Sequence, residues 1–545
     1  MNRPATPRQA VEAWARTQLA VYLQGVGVAA AAVQVERPRQ PEHGDFALNL
    51  AMQLAGRLKR APLQIAGEIA AELTTGGPVA AVEVAPPGFI NIRVDQGWLV
   101  RRLEDVVDAA EDWGRSDEGA GRRVQVEFVS ANPTGPLLFS HGRGAVVGDT
   151  VARLLSFTGH AVEREYYIND AGRQVLVFAD SLLASRRGEP APENGYAGDY
   201  IEDVAALVPA ALLVGAAEEV RRAVMEWAVA HYLADIRRTL DALGISFDSW
   251  FSEKLLYGAW EKETLALLDG SVVVHDGATW LRFEDGQEDV LYKSTGEGTY
   301  FLGDLLYHRD KLVRRGFDLA IDVWGEDHQN QVRRMKQVVE RIGVDPARLQ
   351  VIIIRNVRMK AAGQFVKISK RAGNLILLAD LMEEVGADAV RYHYLLRSAD
   401  AAMDFDIDLA REQSKENPVF YAQYGHARMC SVAAVAAESG VLASSEALER
   451  LTAPAELDVI RELMSFPDVV AEAARRMEPH SLPYFAHRLA EKIHAWYDTG
   501  NDNRGLRILV DDAALSGARL YLAQAARQTM ANALGLMGVS APNRM

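Results

Sequence analysis

The chain has 545 residues, of which 49% are hydrophobic, 24% charged and 8% aromatic, a composition typical of a globular protein with several domains. Acidic residues outnumber basic ones, 74 against 59, which disfavours a polybasic binder of the histone type. A single cysteine, Cys430, excludes an intramolecular disulfide and a zinc site built from several thiolates.

The N-terminal residues predict an α+β domain over residues 1–112. Helical periodicity at both ends of 7–75 flanks a loop over 37–45, and residues 79–94 alternate as two strands around a Pro-Pro-Gly turn. No apolar core follows the first residues, and no apolar stretch reaches the roughly 20 residues that span a membrane, so the sequence predicts a cytoplasmic protein without a membrane anchor.

The middle of the chain predicts a parallel α/β sheet, because short β-rich runs at 124–129, 319–323 and 351–354 each precede turns or helical segments. The less regular interval of about 176–290, with a helical run at 216–243, predicts an insertion into that sheet. After residue 416 the amphipathic pattern is nearly continuous and predicts a helical bundle. The predicted domains are therefore 1–112, 113–410 and 411–545.

A loop rich in proline and glycine follows the strand 124–129. Residues 132–144 read NPTGPLLFSHGRG, and a helix is expected to begin near Gly144. Free N–H groups at a helix start attract phosphate, and glycines let the backbone approach it closely. The loop predicts a nucleotide site in which His141 donates to phosphate oxygens. By itself the pattern also fits a dinucleotide-type glycine turn or a sharp loop without a ligand.

A second loop, after the strand 351–354, carries three cations around a serine, in the order Lys367, Ser369, Lys370 and Arg371. Such a cluster can neutralise a polyphosphate. Taken alone, it also fits a solvated basic turn.

Together the two loops resemble the signature of class I aminoacyl-tRNA synthetases, in which a histidine loop at a helix start is followed about 230 residues later by a K-x-S-K loop. The wider text is similar to the arginyl-tRNA synthetase family. The segments that carry this similarity are 43–46 (HGDF), 87–91 (PGFIN), 126–136 (VEFVSANPTGP), 168–174 (INDAGRQ), 404–406 (DFD), 416–418 (ENP) and 535–542 (GLMGVSAP) with the terminal Met545.

The resemblance implies an α/β fold with a class I nucleotide-binding, Rossmann-like parallel-sheet core, a small α+β N-terminal domain and an all-α C-terminal helical bundle. It implies an arginine–tRNA ligase that activates arginine with ATP to arginyl-adenylate and transfers it to the 3′-terminal adenosine of tRNA(Arg). Magnesium is expected to arrive with ATP rather than at a protein-bound metal site, and the chain is expected to be a monomer.

The resemblance also implies roles for individual residues. The catalytic set is His141, Lys367, Ser369, Lys370 and Arg371. ATP is assigned to His141, Gly142, Gly144 and Lys370. Arginine is assigned to Glu127, Ser130, Asn132, Tyr300 and Asp304, with a further α-amino contact near 326–328. The tRNA is assigned to Phe89, Asn91, Tyr421, Tyr424, Arg428 and Met545.

One departure from the family pattern leaves an alternative open. The first loop usually reads His-x-Gly-His, and Leu138 and Ser140 stand here at the positions of its first histidine and its glycine. The alternative is a tRNA-binding paralogue without adenylation activity. A nicotinamide dehydrogenase, with Glu163 or Glu165 as the ribose-binding acid, rests on the glycine turn alone and leaves the lysine loop unexplained.

Overall fold

The computed structural model describes residues 6–29, 33–38, 40–268, 270–366 and 376–545. The predicted catalytic residues Lys367, Ser369, Lys370 and Arg371 lie outside the described residues.

The N-terminal part combines short helices with an antiparallel sheet. Its elements are α1 (Pro7–Gln18), α2 (Ala20–Gly25), β1 (Val35–Glu36), β2 (Phe46–Leu48), α3 (Leu50–Leu58), α4 (Pro62–Glu72), β3 (Val79–Ala85), β4 (Phe89–Val94), α5 (Gln96–Arg101) and α6 (Leu103–Ala109). The strand order is β1-β2-β4-β3. A capping box starts α1, because the Thr6 hydroxyl accepts from the Gln9 N–H at 3.2 Å while the Gln9 side chain accepts from the Thr6 N–H at 3.0 Å.

The central part contains the main sheet. Its elements are β5 (Arg123–Glu127), α7 (Phe139–Phe157), β6 (Ala161–Ile168), α8 (Arg173–Arg187), α9 (Asp199–Leu207), α10 (Ala217–Ala242), β7 (Ser249–Ser252), α11 (Ala259–Leu267), β8 (Val272–His275), β9 (Ala278–Arg282), β10 (Glu288–Tyr292), α12 (Tyr300–Arg309), β11 (Leu319–Gly325), α13 (Gln331–Arg341), β12 (Leu349–Ile354), β13 (Val357–Ala361), β14 (Gln364–Phe365), α14 (Leu378–Val385), α15 (Ala387–Tyr394), β15 (Met403–Asp406) and α16 (Ile407–Arg411).

Five parallel strands form the main sheet in the order β12-β11-β5-β6-β7, as the β-rich runs predicted. The first strand, β5, lies in the middle, and the chain continues to β6 on one side and later to β11 on the other. In open α/β sheets such a change of direction leaves a crevice outside the carboxyl ends of the strands. The crevice between β5 and β11 is therefore the expected binding site.

The predicted single insertion over 176–290 is wrong. Strand β7 is hydrogen-bonded to β6 and completes the main sheet, so only the segments before and after it leave the sheet. Helices α8, α9 and α10 share a small apolar core, and β8, β9 and β10 form a separate antiparallel sheet. The sequence pattern missed β7 because the strand has only four residues and is mostly half-buried.

Helix α7 begins at Phe139 rather than near Gly144, so the glycines of this segment lie inside the helix. Gly142 thus lies in the helix rather than in the predicted loop, and packing requires a glycine both there and at position 148. A Cβ on Gly148 would collide with the ring of Phe128, and a Cβ on Gly142 would lie 2.8 Å from the ring of Tyr394. Helix α7 therefore packs unusually closely on its neighbours.

The C-terminal part is the predicted helical bundle. It consists of α17 (Pro418–Glu438), α18 (Pro454–Arg476), α19 (Ser481–Asp502) and α20 (Ala513–Leu536). Helix α17 starts where the sequence indicated, because the Asn417 side chain caps the N–H of Val419 and Pro418 occupies the first helical position. Within the described ranges, no helix is long and apolar enough to cross a bilayer.

Arg391 of α15 joins the central part to the C-terminal bundle. Its side chain is 1% exposed. Nε donates to the carbonyl oxygen of Met537 at 2.6 Å, Nη1 donates to that of Leu243 at 2.9 Å, and Nη2 bonds to Asp149 of α7. One buried guanidinium thus satisfies groups from three segments that are distant in sequence.

Candidate active site

Two acidic side chains lie next to each other at the crevice. Glu127, the last residue of β5, pairs in register with Asp322 of β11, and both are buried. Lys311 separates their charges: Nζ donates to Glu127 Oε2 at 2.6 Å and to Asp322 Oδ1 at 2.7 Å. The Lys311 side chain is 0% exposed, and its Nζ lies 4.0 Å from the centre of the Tyr307 ring. A paired lysine makes the burial of both carboxylates tolerable.

His308 of α12 joins this cluster of charged side chains. Its Nε2 lies 2.6 Å from Asp322 Oδ2, and its Nδ1 lies 2.6 Å from the carbonyl oxygen of Asp304. Both partners are acceptors when Asp322 is ionised, so both ring nitrogens carry protons. Burial opposes this charge, but the neighbouring Asp322 outweighs it and raises the pKa of His308. Burial likewise opposes the charge of Asp322, whose pKa Lys311 and His308 lower below its usual range.

The turn after β5 holds Glu127 from the other side. The Ser130 hydroxyl donates to Glu127 Oε1 at 2.9 Å and accepts from the Tyr167 N–H at 3.1 Å. Ser130 has a φ of 37°, in the left-handed region that non-glycine residues seldom adopt. The structure therefore brings together Glu127 and Ser130, two of the predicted arginine-binding residues, on a strained turn.

The other predicted arginine-binding residues surround the same crevice. Thr299 caps α12, so Tyr300 and Asp304 lie one turn apart on the helix, as their spacing predicted. Tyr300 is 59% exposed. Asn132, after the turn, is exposed and donates to Gln174 of α8 at 2.8 Å. Their roles toward a ligand stay predictions.

Asp304 and Glu253 are acids of the crevice whose carboxylates the described residues do not fully satisfy. The Asp304 carboxylate has no hydrogen-bond partner among the described residues, and burial raises its pKa to about 6. Glu253 is 5% exposed; the Tyr257 hydroxyl donates to its Oε1 at 2.8 Å, while Oε2 is buried without a partner in the described part of the chain. Burial raises the pKa of Glu253 to about 7.

The charges of this pocket do not cancel. Lys311 and His308 compensate Glu127 and Asp322, whereas no described cation is paired with Asp304 or Glu253. A planar cation with several N–H donors would satisfy these carboxylates and the nearby tyrosine hydroxyls. Glu253 directly follows β7 at the carboxyl edge of the main sheet, but the sequence gives no signal for it, because β7 itself is too short to be predicted.

The start of α7 forms the neighbouring part of the crevice. His141 Nδ1 accepts the N–H of Leu138 at 3.0 Å, which places the imidazole across the first helical turn. The Phe139 N–H donates to the carbonyl oxygen of Ile376 at 3.0 Å, and the Leu378 N–H donates to that of Leu137 at 2.9 Å. Residues directly after 367–375 are thereby joined to the helix start that carries His141. Gly142 and Gly144 lie within the first two turns.

Three predicted tRNA-binding residues form a surface cluster with α19. Tyr424 is 38% exposed, and the Arg428 guanidinium lies 4.8 Å from its ring centre and 4.4 Å from that of Tyr497. The His494 ring lies 4.6 Å from that of Tyr421 and 5.6 Å from that of Tyr424. His494 and Tyr497 could not be predicted as members of this cluster, because nothing local in the sequence shows that α19 packs beside α17.

The remaining predicted tRNA-binding residues, Phe89, Asn91 and Met545, lie in other segments of the chain. Phe89 is half-buried on β4, and Asn91 of the same strand is only 7% exposed, which counts against a direct contact. Met545 is exposed at the C-terminus. Among the described residues no group of three or more His, Cys, Asp or Glu side chains is placed to hold a metal ion.

Three family profiles match the chain along its length. They are the arginyl tRNA synthetase N terminal domain over residues 14–94, the class I (R) tRNA synthetase catalytic domain over 107–191 and the DALR anticodon binding domain over 422–545. The arginine–tRNA ligase of Syntrophotalea carbinolica is 43% identical, over 94% of this chain and 95% of its own. That of Dehalococcoides mccartyi is 39% identical over 94% of both chains. The chain belongs to the arginine–tRNA ligase family.

The fold of the family agrees with this assignment. The structure of Thermus thermophilus arginyl-tRNA synthetase superimposes with a TM-score of 0.78 over 99% of this chain and 100% of that one, at 21% sequence identity. The predicted class I core with an α+β N-terminal part and a helical C-terminal part is confirmed, as is the resemblance to arginyl-tRNA synthetases. The dehydrogenase alternative is wrong, because the glycine segment on which it rested is helical.

Proposed function

We propose that the chain is an arginine–tRNA ligase, which activates arginine with ATP and transfers the arginyl group to the 3′-terminal adenosine of tRNA(Arg). The observation that carries the proposal is the pair of uncompensated carboxylates, Asp304 and Glu253, beside the helix start that bears His141, in a chain of this family. Cationic amino-acid recognition and nucleotide binding thus adjoin each other at one crevice.

The chemistry needs alignment rather than a protein nucleophile. In the first step a carboxylate oxygen of arginine bonds to the α-phosphorus of ATP, and the bond to pyrophosphate breaks. In the second step a ribose hydroxyl of the terminal adenosine bonds to the activated carbonyl carbon, and AMP leaves. Both steps are accelerated mainly by orientation and by compensation of phosphate charge.

The arginine side chain would lie between the two walls of the pocket. Asp304 and Glu253 would accept hydrogen bonds from the guanidinium, with the Tyr300 hydroxyl beside them, and Glu127 would supply charge from the floor. The two oxygens of a carboxylate can accept two parallel hydrogen bonds from one planar guanidinium. The compact ammonium of lysine cannot form this bidentate pair and is therefore disfavoured. Ser130 and Asn132 would hold the α-amino and carboxylate groups near the helix start.

ATP would bind at the start of α7. His141, with the backbone at Gly142 and Gly144, would contact its phosphates, and Lys370 would stabilise the α,β-phosphate charge in the transition state, assisted by Lys367, Ser369 and Arg371. Magnesium bound with ATP would neutralise phosphate charge. The hydrogen bond between Phe139 and Ile376 supports the joint action of both loops, because it joins the end of the second loop to the first.

The tRNA would contact the two ends of the molecule. Tyr421, Tyr424 and Arg428 would stack on anticodon bases, with Met545 nearby. Phe89 would face the tRNA from the N-terminal domain, and the more buried Asn91 would shape the same strand rather than contact the tRNA directly. We further propose domain limits of 1–112, 113–410 and 411–545, a monomer, and a cytoplasmic location. The match of residues 422–545 to an anticodon-binding domain supports the placement of the anticodon.

Pyrophosphate exchange with arginine, ATP and tRNA(Arg), followed by tRNA charging, tests this function. We expect both activities. Leu138 and Ser140 favour one second candidate, the tRNA-binding paralogue, which would bind tRNA(Arg) without exchange above background. In that event the double variant Leu138→His and Ser140→Gly should gain exchange.

A further inference from the structure

We propose that Lys311 is a positioning residue of the arginine pocket, which keeps Glu127 ionised and in one orientation toward the substrate. The inference rests on the proposed function and deepens it. Lys311 is not among the residues that the family resemblance assigns to arginine. Its Nζ nevertheless donates to Glu127 Oε2 at 2.6 Å, and Glu127 is one of those residues, so Lys311 would act on arginine through Glu127.

The first argument is electrostatic. Glu127 and Asp322 are neighbours in register on parallel strands, about 5 Å apart by strand spacing, and both are buried. Without a cation between them, one carboxylate would take up a proton, because two like charges cannot share so small a desolvated space. Burial opposes the charge of Lys311, but Asp322 and Glu127 raise its pKa, so the lysine stays protonated.

The second argument is geometric. Hydrogen bonds run without interruption from Glu127 through Lys311 and Asp322 to His308, and from its Nδ1 to the carbonyl oxygen of Asp304. Glu127 lies at the end of β5, on the floor of the pocket, and Asp304 lies on α12 beside it. Lys311 is the member of this hydrogen-bonded series that contacts Glu127. It therefore sets the separation between the Glu127 and Asp304 carboxylates, which face the guanidinium.

A purely structural role would predict something different. A buried ion pair that only stabilises the fold could be replaced without changing the affinity of the folded protein for arginine. A positioning role predicts that arginine binding weakens and that its pH dependence shifts upward, because Glu127 without its cation loses its charge at a higher pH. The two roles are therefore separated by the pH profile of arginine affinity rather than by stability.

The test compares Lys311→Met with Arg309→Met. Arg309, the last residue of α12, is a buried cation two residues before Lys311, but it bonds to Glu263 at 2.6 Å and Thr264 at 2.8 Å, outside the pocket. Arginine Kd is measured by calorimetry and arginine KM by pyrophosphate exchange, from pH 6 to 9. We expect Lys311→Met to raise both by about tenfold or more at pH 7, with partial recovery at pH 9, and a smaller change in kcat. Arg309→Met should keep the wild-type profile.

A second variant keeps the test decisive if Lys311→Met does not fold. The double variant Lys311→Met and Asp322→Asn removes one buried cation together with one buried anion, so the net charge is preserved. It should fold and still show weakened, pH-shifted arginine binding, because Glu127 remains buried without its cation. Unchanged Kd and pH profile in either folded variant, an equal shift in Arg309→Met, or failure of both Lys311 variants to fold would overturn the proposal.

The outcomes for this inference and for the function differ. If the wild-type protein neither exchanges pyrophosphate nor charges tRNA, the proposed function fails whatever Lys311 does. If the wild-type protein is active but Lys311→Met binds arginine normally at every pH, only the role of Lys311 fails.

Discussion

The Tyr257 hydroxyl donates to Glu253 Oε1 at 2.8 Å, and this bond satisfies only one of the two oxygens of a carboxylate that is almost fully buried. The other oxygen, Oε2, has no partner in the described ranges. A buried acceptor without a donor costs free energy, which a ligand can recover by donating to it. Glu253 is thus prepared for a cation that brings its own N–H groups.

The affinity for arginine should fall as the pH is lowered. Burial raises the pKa of Glu253 to about 7 and that of Asp304 to about 6. A guanidinium binds the ionised form of each, so bound arginine lowers both pKa values and binding is complete only above about pH 7. As the pH falls through 7 and then 6, the protons compete and Kd for arginine should rise, which titration calorimetry from pH 5.5 to 8.5 would measure. An affinity that is constant over this range would contradict the assignment; the Kd for ATP is the control.

Glu253→Gln should raise the arginine KM by about tenfold or more, because one of the uncompensated charges is lost. The variant should also lose the part of the pH dependence near pH 7, while the part near pH 6, due to Asp304, remains. Pyrophosphate exchange kinetics give both quantities. Glu263→Gln, whose carboxylate pairs with Arg309 away from the crevice, is the matched control. Wild-type kinetics in Glu253→Gln would remove Glu253 from the pocket.

Lys370→Ala should lower the rate of adenylate formation far more than it weakens arginine binding. The expected contact of Lys370 with the phosphates forms mainly in the transition state, where loss of one charge-stabilising donor costs about 3 kcal/mol. Single-turnover formation of arginyl-adenylate would measure this. A large rise in the arginine KM at unchanged kcat would contradict this assignment, because Lys370 would then act in arginine binding rather than on the phosphates.

Tyr424→Ala should weaken tRNA charging and leave the arginine KM unchanged. The ring is 38% exposed and has Arg428 against it, and loss of a base–aromatic stack costs about 1–3 kcal/mol. The KM for tRNA(Arg) in the charging reaction is the measurement. Tyr424→Phe, which retains the ring, should stay close to wild type. Equal damage to arginine binding and tRNA charging would indicate a folding role instead.

Gly538→Ala should destabilise the protein more than Gly440→Ala. Both glycines have positive φ values, 67° and 71°, so each substitution costs about 1 kcal/mol of backbone strain. A Cβ on Gly538 would in addition collide with the guanidinium of Arg391, whereas nothing lies within 4 Å of a Cβ on Gly440. We expect about 3 kcal/mol for Gly538→Ala, seen as the larger fall in Tm. Equal Tm values would argue that Arg391 moves aside freely.

The sequence predicted those elements whose signal is local. Strands β5, β11 and β12 lie in short β-rich runs followed by turns or helical segments, and α17 starts at an asparagine cap and a proline that are visible in the sequence. A glycine can permit a turn or allow close packing inside a helix, and the sequence alone does not distinguish these two roles. The sequence places Gly142 in a loop, whereas the structure places it in α7, where the ring of Tyr394 leaves no room for a side chain.

The candidate site was predictable only in part, for a related reason. Glu127, Ser130, Tyr300 and Asp304 lie in segments that resemble a family, so they could be proposed before the fold was known. Lys311 acquires its role from Glu127, 184 residues away, and the Asp322 carboxylate acquires its role from both. Asp304 and His308 are four residues apart and lie on one face of α12, but what faces them depends on the order of strands in the sheet.

The link between Phe139 and Ile376 is made entirely by peptide groups. A side-chain replacement along either segment therefore leaves this hydrogen bond in place. In this chain it forms next to Leu138, so the leucine is compatible with it. Proline has no amide hydrogen, so proline at position 139 or 378 would remove one of the two backbone hydrogen bonds that join these segments.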